Sequence, residues 1–106
     1  DGRIDWSVDA RDVHNLVRGM NPWPGAYTGW NGGVLKVHRT VVVDGGAGGE
    51  PGTVAEASPK DGVIVACGGD AVRLDEVQPP GKQKMDGASF VRGYDIRDGM
   101  TLGGKD

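Results

Sequence analysis

The first part of the chain has the pattern of an amphipathic helix. Four apolar residues recur at intervals of three and four positions, namely Val13, Leu16, Val17 and Met20. A helix places residues with this spacing on one face, so the pattern predicts a helix over about Ser7 to Arg18 that docks on the rest of the domain. Ser7 or Asp9 can accept hydrogen bonds from the free N–H groups at its start, while Gly19 and the following Asn21-Pro22 are typical of a helix end.

The next segment predicts a β-hairpin. Ala26 to Trp30 has the composition of a strand, and Asn31-Gly32-Gly33 is typical of a tight turn with positive φ angles. The second strand, Val34 to Val43, alternates in polarity. Its predicted inward side carries Leu35, Val37, Val41 and Val43, and its outward side carries Lys36, His38 and Thr40. Arg39 interrupts the apolar side, but the alternation still predicts one buried face and one exposed face.

The rest of the chain contains short strand-like segments separated by turn sequences. The predicted strands span about Thr53 to Ala57, Gly62 to Cys67 and Ala71 to Val77. After them, Asp86 can cap a brief helix that passes through Phe90 and ends at Gly93. Asp98-Gly99 makes a final turn. Short strands at this spacing predict a mainly β fold, a small β-barrel with an amphipathic helix at its N-terminus and a short helix near its C-terminus.

Length and cysteine usage limit the class of protein. A length of 106 residues fits one domain, and the sequence starts at Asp1 without an initiator methionine, a signal peptide or a tag. We therefore expect one domain of a longer protein. Apolar runs such as Val63 to Cys67 are far shorter than the roughly 20 residues that cross a bilayer, so we expect no membrane partner. The single cysteine, Cys67, excludes an internal disulfide and favours a cytoplasmic location.

The charged residues indicate local rather than global binding. Twelve Lys and Arg against fifteen Asp and Glu give a net charge of −3, so the chain lacks the overall positive field of a typical nucleic-acid-binding module. Two basic groups stand out, with Lys82 and Lys84 in one and Lys36, His38 and Arg39 in the other. Charge alone does not decide between phosphate contacts and an ordinary solvated surface.

The residues that often carry catalysis have structural interpretations here. His14 and His38 are the only histidines, and neither lies in a catalytic or metal-binding motif. We expect His14 to be a structural residue of the predicted helix, and His38 to be solvated or to contact a phosphate. Cys67 follows an apolar strand and is expected to pack as a small hydrophobic residue.

The glycine-rich segment Asp44 to Gly52 has the composition of a phosphate-binding loop. However, it lacks the Gly-Lys-Ser/Thr ending of such loops and leads into a strand rather than a helix. We therefore expect a flexible connection. From these residues we predict no catalytic residue and no metal site.

Several segments resemble a known family in their order and spacing. They are Ile4-Asp5-Trp6-Ser7, Asn21-Pro22-Trp23-Pro24-Gly25-Ala26, Pro51-Gly52-Thr53, Val77-Gln78-Pro79-Pro80-Gly81-Lys82 and Met85. Together with the sequence LDEVQPPGKQKMDGASFVRG, they resemble the C-terminal domain of the methionyl-tRNA formyltransferase family over about Ile4 to Gly103. The resemblance implies an OB-fold-like β-barrel with an N-terminal helix. It also implies that residues 1–106 are joined to an N-terminal, Rossmann-type catalytic domain that binds the co-substrate 10-formyltetrahydrofolate.

The same resemblance implies a function for this domain. It would hold the inside of the L of initiator methionyl-tRNA through sugar-phosphate contacts, and the catalytic domain would N-formylate the methionyl group in translation initiation. No catalytic residue and no cofactor of this domain carries over, so we expect the chain alone to be inactive and monomeric. The implied RNA-binding residues are Lys82 and Lys84 first, then Lys36 and Arg39, and then Arg92. The net charge of −3 departs from the basic surface expected of the family.

Two alternatives remain open at this stage. Similar C-terminal domains occur in formyltetrahydrofolate hydrolases or dehydrogenases and in sugar-nucleotide formyltransferases, which bind no tRNA. The run Gln78-Pro79-Pro80-Gly81-Lys82 favours the tRNA enzyme over these relatives. The other alternative is a structural module that packs on the catalytic domain or on another copy of itself, which would explain the acidic balance.

Overall fold

The computed structural model describes residues 2–21, 23–45 and 49–103. The helices in this part are α1 (Ala10–Met20) and α2 (Gly87–Gly93). The strands are β1 (Ala26–Trp30), β2 (Gly33–Val43), β3 (Val54–Ser58), β4 (Gly62–Ala66), β5 (Ala71–Gln78) and β6 (Met85–Asp86). These elements confirm a mainly β domain with an N-terminal helix and a short C-terminal helix. The predicted glycine-rich connection falls partly on residues 46–48, which lie outside the described residues.

The strands form one antiparallel sheet in the order β1-β2-β5-β4-β3, and β6 pairs with β5. In the described ranges β1 and β3 do not pair, so the strands alone do not close the predicted barrel. Segment 98–103 lies in the gap. The amide of Gly103 donates to the carbonyl of Gly29 in β1 (2.9 Å), and that of Leu102 donates to Gly52, just before β3 (2.8 Å). The result is an open sheet, compatible with an OB-like fold.

Helix α1 docks through the face that its spacing predicts. Val13 and Val17 are each 1% exposed, and the half-buried Leu16 and Met20 pack against the same core. The segment before the helix is held by another part of the chain. The carbonyl of Val8 accepts from the amide of Gly68 (2.8 Å). The amide of Ala10 donates to the carbonyl of Gly69 (2.8 Å).

The predicted limits of this helix, Ser7 and Arg18, are wrong. Asp9 is the N-cap residue, and its carbonyl accepts from the amide of Val13 (3.1 Å), but its side chain makes no cap hydrogen bond. Ser7 lies before the helix, and its amide and hydroxyl both donate to the carboxylate of Asp5. At the other end, Gly19 remains helical instead of adopting a positive φ, and the amide of Asn21 donates to the carbonyl of Arg18 (3.4 Å). Pro22, which was predicted to stop the helix, lies outside the described residues.

The hairpin β1–β2 forms as predicted. Trp30 pairs with Gly33, and the two residues between them, Asn31 (φ 51°) and Gly32 (φ 75°), both have positive φ. This is the conformation of the type I′ turns that join twisted strands, and Asn-Gly is the favoured sequence for it.

Strands β2 and β5 change their buried side at the same level of the sheet. In β2 the buried residues Val37 and Thr40 are three positions apart, and in β5 the buried residues Leu74 and Val77 are also three apart. The pairing of the two strands is irregular at this level. The predicted sides of the second half of β2 are therefore wrong: Thr40 is 3% exposed, whereas Val41 is 38% exposed.

Helix α2 covers one end of the core. Asp86 is its N-cap, and its Oδ1 accepts a hydrogen bond from the amide of Ser89 (2.8 Å), as predicted. Phe90 is fully buried and its ring lies edge-on to that of Trp30, with the centroids 5.1 Å apart. The short helix is thus fixed by one cap and one aromatic anchor.

The segment before α1 runs along the free side of β1. The amide of Ile4 donates to the carbonyl of Tyr27, and the amide of Tyr27 donates to the carbonyl of Gly2, both at 2.9 Å. Beyond it, the indole N–H of Trp6 donates to the hydroxyl of Thr28 (3.0 Å) in the core. The N-terminal segment is thereby tied to β1, as is the segment that ends at Gly103.

Candidate phosphate-binding surface

Two of the predicted basic residues meet around one side chain at the end of β5. Lys36 of β2 is the pairing partner of Gln78, the last residue of β5. The side-chain amide of Gln78 donates from Nε2 to the backbone carbonyl of Lys82 (2.9 Å). Lys36 and Lys82, which are far apart in sequence, therefore flank the same glutamine.

The segment between β5 and β6 presents Lys82 and Lys84 to solvent. The amide of Lys82 donates to the carbonyl of Pro79 (3.1 Å), and Gly81 has a φ of 73°. Residues 79–82 thus form a type II turn, in which the fourth residue donates to the carbonyl of the first, proline is second and a glycine with positive φ is third. Residues 81–84 are all exposed, and β6 returns at once to pair with β5.

We refer to Lys36, Lys82 and Lys84 as the lysine surface. All three are exposed. Within residues 2–21, 23–45 and 49–103 none of them forms an ion pair; the pairs that occur there are Arg73–Asp75 and Arg97–Asp95. Beside Lys36, a groove of about 350 Å³ is lined by Val34 and the Pro79-Pro80-Gly81 turn. Three ammonium groups that have no carboxylate partner among the described residues make this surface suited to anions.

Arg39 lies elsewhere, in a groove of mixed charge. It pairs across the sheet with Glu76, which in turn pairs with Asp86. The groove is lined by Arg39, Lys60, Asp61, Arg73, Asp75 and Asp86 among others. Carboxylates surround this arginine, so its surroundings are less suited to a phosphate than those of Lys82.

Arg92 is exposed in the last turn of α2. Hydrogen bonds from Ser89 lower the pKa of the Asp86 carboxyl, and the positive charge of Arg92 adds a smaller effect in the same direction. The structure thus brings Lys36 and Lys82 together, keeps Lys84 in the same exposed segment, and places Arg39 and Arg92 near acidic residues.

His38 is half-buried and held by two side-chain amides. Its Nε2 lies 2.9 Å from Oε1 of Gln78, and its Nδ1 lies 3.4 Å from Oδ1 of Asn21. Asn21 also donates from Nδ2 to the backbone carbonyl of His38. The prediction of a solvated or phosphate-contacting histidine is therefore wrong, because both ring nitrogens face groups of the chain itself.

Sequence reasoning missed the roles of Asn21 and Gln78. Both residues lie in segments that carried the family resemblance, Asn21 before a proline and Gln78 before two prolines. A polar side chain directly beside a proline turn was the signal that could have drawn attention to them, since such side chains often fix the backbone of the turn.

His14 and Cys67, the other residues of reactive types, have structural roles. His14 Nδ1 lies 2.9 Å from the hydroxyl of the buried Thr40. Cys67 is buried, and that burial raises the pKa of its thiol to about 11, which disfavours the reactive thiolate. Among the residues described, no three His, Cys, Asp or Glu side chains are grouped so that they could hold a metal ion. Neither described helix is long and apolar enough to cross a membrane.

Comparisons with known proteins agree with the sequence resemblance. The family described as "Formyl transferase, C-terminal domain" matches residues 1–95. A methionyl-tRNA formyltransferase of Geotalea daltonii is 50% identical over 106 residues, covering 100% of this chain and 33% of that protein. The methionyl-tRNA formyltransferase of Halothermothrix orenii is 45% identical over 107 residues, covering 96% of this chain and 34% of that protein.

Solved structures support the fold. HypX from Aquifex aeolicus superposes with a TM-score of 0.68 at 21% identity, covering 92% of this chain and 18% of the HypX chain. A second HypX structure, in complex with tetrahydrofolic acid, gives a TM-score of 0.69 at 21% identity, with 87% and 17% coverage. The chain spans about a third of the length of the curated relatives it matches. From the family match over residues 1–95, the chain belongs to the formyl transferase C-terminal domain family.

Proposed function

We propose that this chain is the tRNA-contacting C-terminal domain of a methionyl-tRNA formyltransferase. It positions initiator methionyl-tRNA by sugar-phosphate contacts. Formyl transfer from 10-formyltetrahydrofolate to the methionyl amine then takes place on a catalytic domain elsewhere in the full-length protein. The identity of 41% to 50% to methionyl-tRNA formyltransferases over nearly the whole chain supports this assignment over other formyltransferases.

The lysine surface is the observation that carries the proposal. Lys36 and Lys82 flank Gln78, and Lys84 follows in the same exposed segment. Their ammonium groups have no carboxylate partner in the part of the chain that the structure describes, although the chain as a whole has a net charge of −3. A local positive surface on an acidic domain favours one defined anion contact over general adhesion to nucleic acid.

Such contacts position a ligand without reading its sequence. Lysine on a flexible stem acts as a point charge for phosphate oxygens, and phosphate contacts fix the register and orientation of a nucleic acid. The lysine surface would therefore contribute to the affinity for tRNA. Discrimination among tRNAs and the chemistry itself would depend on other parts of the full-length protein.

The test compares Lys82→Ala/Lys84→Ala with wild type in the full-length protein, by formylation kinetics over a salt series. If each lysine contacts one phosphate, the slope of log affinity against log salt falls by about 1 to 2 units. The half-saturating tRNA concentration rises by a similar factor for different tRNAs, and the rate at saturation changes less.

Lys60→Ala is the matched control, because Lys60 is an exposed lysine in the acidic groove around Arg39. It should leave both the half-saturating concentration and the salt slope unchanged. Equal salt slopes for wild type and the Lys82/Lys84 double variant would show that these lysines are ordinary solvated surface, and a structural role for the domain would then be favoured.

A further inference from the structure

Three polar side chains connect the end of α1 to the segment that carries Lys82. Asn21 lies at the C-cap of α1, His38 lies in β2 and Gln78 ends β5. Asn21 contacts His38, His38 contacts Gln78, and Gln78 contacts the backbone of Lys82. One side chain from each of three elements thus leads to a single carbonyl on the lysine surface.

The direction of these hydrogen bonds follows from the groups that can only accept. The backbone carbonyl of Lys82 is an acceptor, so the NH₂ group of Gln78 faces it and the Oε1 of Gln78 faces His38. An oxygen in that place requires a hydrogen on Nε2 of His38. The imidazole is therefore the donor to Gln78, and together with the Lys82 carbonyl it holds the Gln78 amide in one orientation.

The backbone of Lys82 is held on both sides by this arrangement. Its N–H donates to the carbonyl of Pro79 (3.1 Å), and its C=O accepts from Gln78 (2.9 Å). The first bond belongs to the turn itself. The second depends on a glutamine side chain with several rotatable bonds, which His38 keeps in place.

We propose that His38 is a positioning residue for Lys82, acting through Gln78 to preorder the 79–84 segment for a phosphate of tRNA. The inference rests on the proposed function, since it assumes that Lys82 meets a phosphate. His38 does not touch the phosphate itself, because its Nε2 hydrogen is committed to Gln78. Preordering lowers the conformational entropy that Lys82 would otherwise lose on binding.

Two substitutions of nearly equal chemistry separate this role from a general structural one. In His38→Gln the side-chain amide nitrogen reaches about as far as Nε2 of histidine, so it can still donate to Gln78. In His38→Asn the amide nitrogen reaches only about as far as Nδ1, so the donor to Gln78 is lost. The full-length protein is used, and thermal melting checks that each variant is folded.

We expect His38→Asn to raise the half-saturating concentration of methionyl-tRNA about two- to tenfold, as for the loss of one hydrogen bond, with little change in the rate at saturation. His38→Gln should keep the half-saturating concentration at the wild-type value. In a Lys82→Ala background, His38→Asn should have no further effect, because contacts that act through one residue are not additive. An undiminished effect of His38→Asn in that background, or no rescue by His38→Gln, would overturn the proposal.

Amide hydrogen exchange of residues 81–84, measured in the same full-length variants without tRNA, separates this proposal from the proposed function. His38→Asn should speed exchange in this segment and His38→Gln should not. If exchange is unchanged in His38→Asn, His38 does not position the segment. If Lys82→Ala alone leaves the half-saturating concentration unchanged, the phosphate contact of Lys82 fails, and the exchange data still decide whether His38 orders the segment.

Discussion

The hydrogen bond between Trp6 and Thr28 gives a sharp test of what holds the N-terminal segment on β1. The indole N–H of Trp6 donates to the Thr28 hydroxyl over 3.0 Å. Trp6 is 5% exposed and Thr28 is 0% exposed, so water cannot replace the acceptor. In the described ranges every buried side-chain nitrogen or oxygen has a hydrogen-bond partner.

Thr28→Val replaces the hydroxyl by a methyl group of nearly the same shape. The substitution leaves no cavity and adds apolar surface, so any loss of stability comes from the indole N–H that remains buried without an acceptor. An unsatisfied buried donor costs about 1 to 3 kcal/mol. In a domain of this size, each kcal/mol lost from the free energy of unfolding lowers the melting temperature by about 4 °C. We therefore expect the melting temperature to fall by about 4 to 12 °C.

Thermal melting followed by circular dichroism, together with denaturant unfolding, measures this change. Thr101→Val is the matched control: Thr101 is exposed, and the substitution should change the free energy of unfolding by no more than about 0.5 kcal/mol. A Thr28→Val protein that melts at or above the wild-type temperature would refute the reasoning, since the indole would then not depend on this acceptor.

Three further predictions concern stability and thiol reactivity. Val17→Asp places an unpaired carboxylate at a position that is 1% exposed in the docked face of α1, and denaturant unfolding should show a loss of several kcal/mol. Gly87→Ala should also destabilise the domain, because the added Cβ would lie 2.5 Å from the carbonyl oxygen of Leu74. In Gly19→Ala the added Cβ meets nothing within 4 Å, so this substitution should stabilise α1 by about 0.5 to 1 kcal/mol. Equal melting temperatures for the two variants would contradict this. Burial raises the pKa of Cys67 from 9.0 to about 11, so the unfolded chain ionises first as the pH rises and stability should fall between about pH 9 and 11. A Cys67→Ala variant should lack this fall, and iodoacetamide at pH 8 should label the native thiol far more slowly than the unfolded one.

The elements that follow local rules could be predicted from the sequence. The Asn31-Gly32 turn requires two positive φ angles, which these residues adopt readily, and both adopt them. The cap at Asp86 depends only on a carboxylate placed three residues before the amide of Ser89. In each case the cause and the effect lie within four residues of each other.

The errors arose where a distant segment overrides a local preference. Ser7 and Asp9 are both good cap residues, but the carbonyl of Val8 and the amide of Ala10 are bound to the turn at 68–69, so α1 starts at Ala10 with Asp9 as its N-cap. A small polar residue before an apolar helix face does not reveal that the backbone beside it will hydrogen-bond to a turn far away in the sequence.

The second half of β2 shows the same limit. Strict alternation placed Thr40 outside and Val41 inside, and the structure reverses them. The reversal occurs where β2 and β5 both skip one position between buried residues. A shift of one residue moves every later side chain to the other face, and the sequence of one strand alone does not contain the register of its partner.

By itself the sequence determined the mainly β class, the docked face of α1, the turns, the family and the lysines of the candidate surface, because each of these depends on residue type and short spacing. Only the tertiary structure decided which lysines lie together and what holds them. His38 and Gln78 are 40 positions apart and meet because β2 pairs with β5. That pairing places a histidine expected to be solvated against the glutamine that contacts the backbone of Lys82, since a side chain's hydrogen-bond partners are set by the neighbouring strands rather than by its neighbours in the chain.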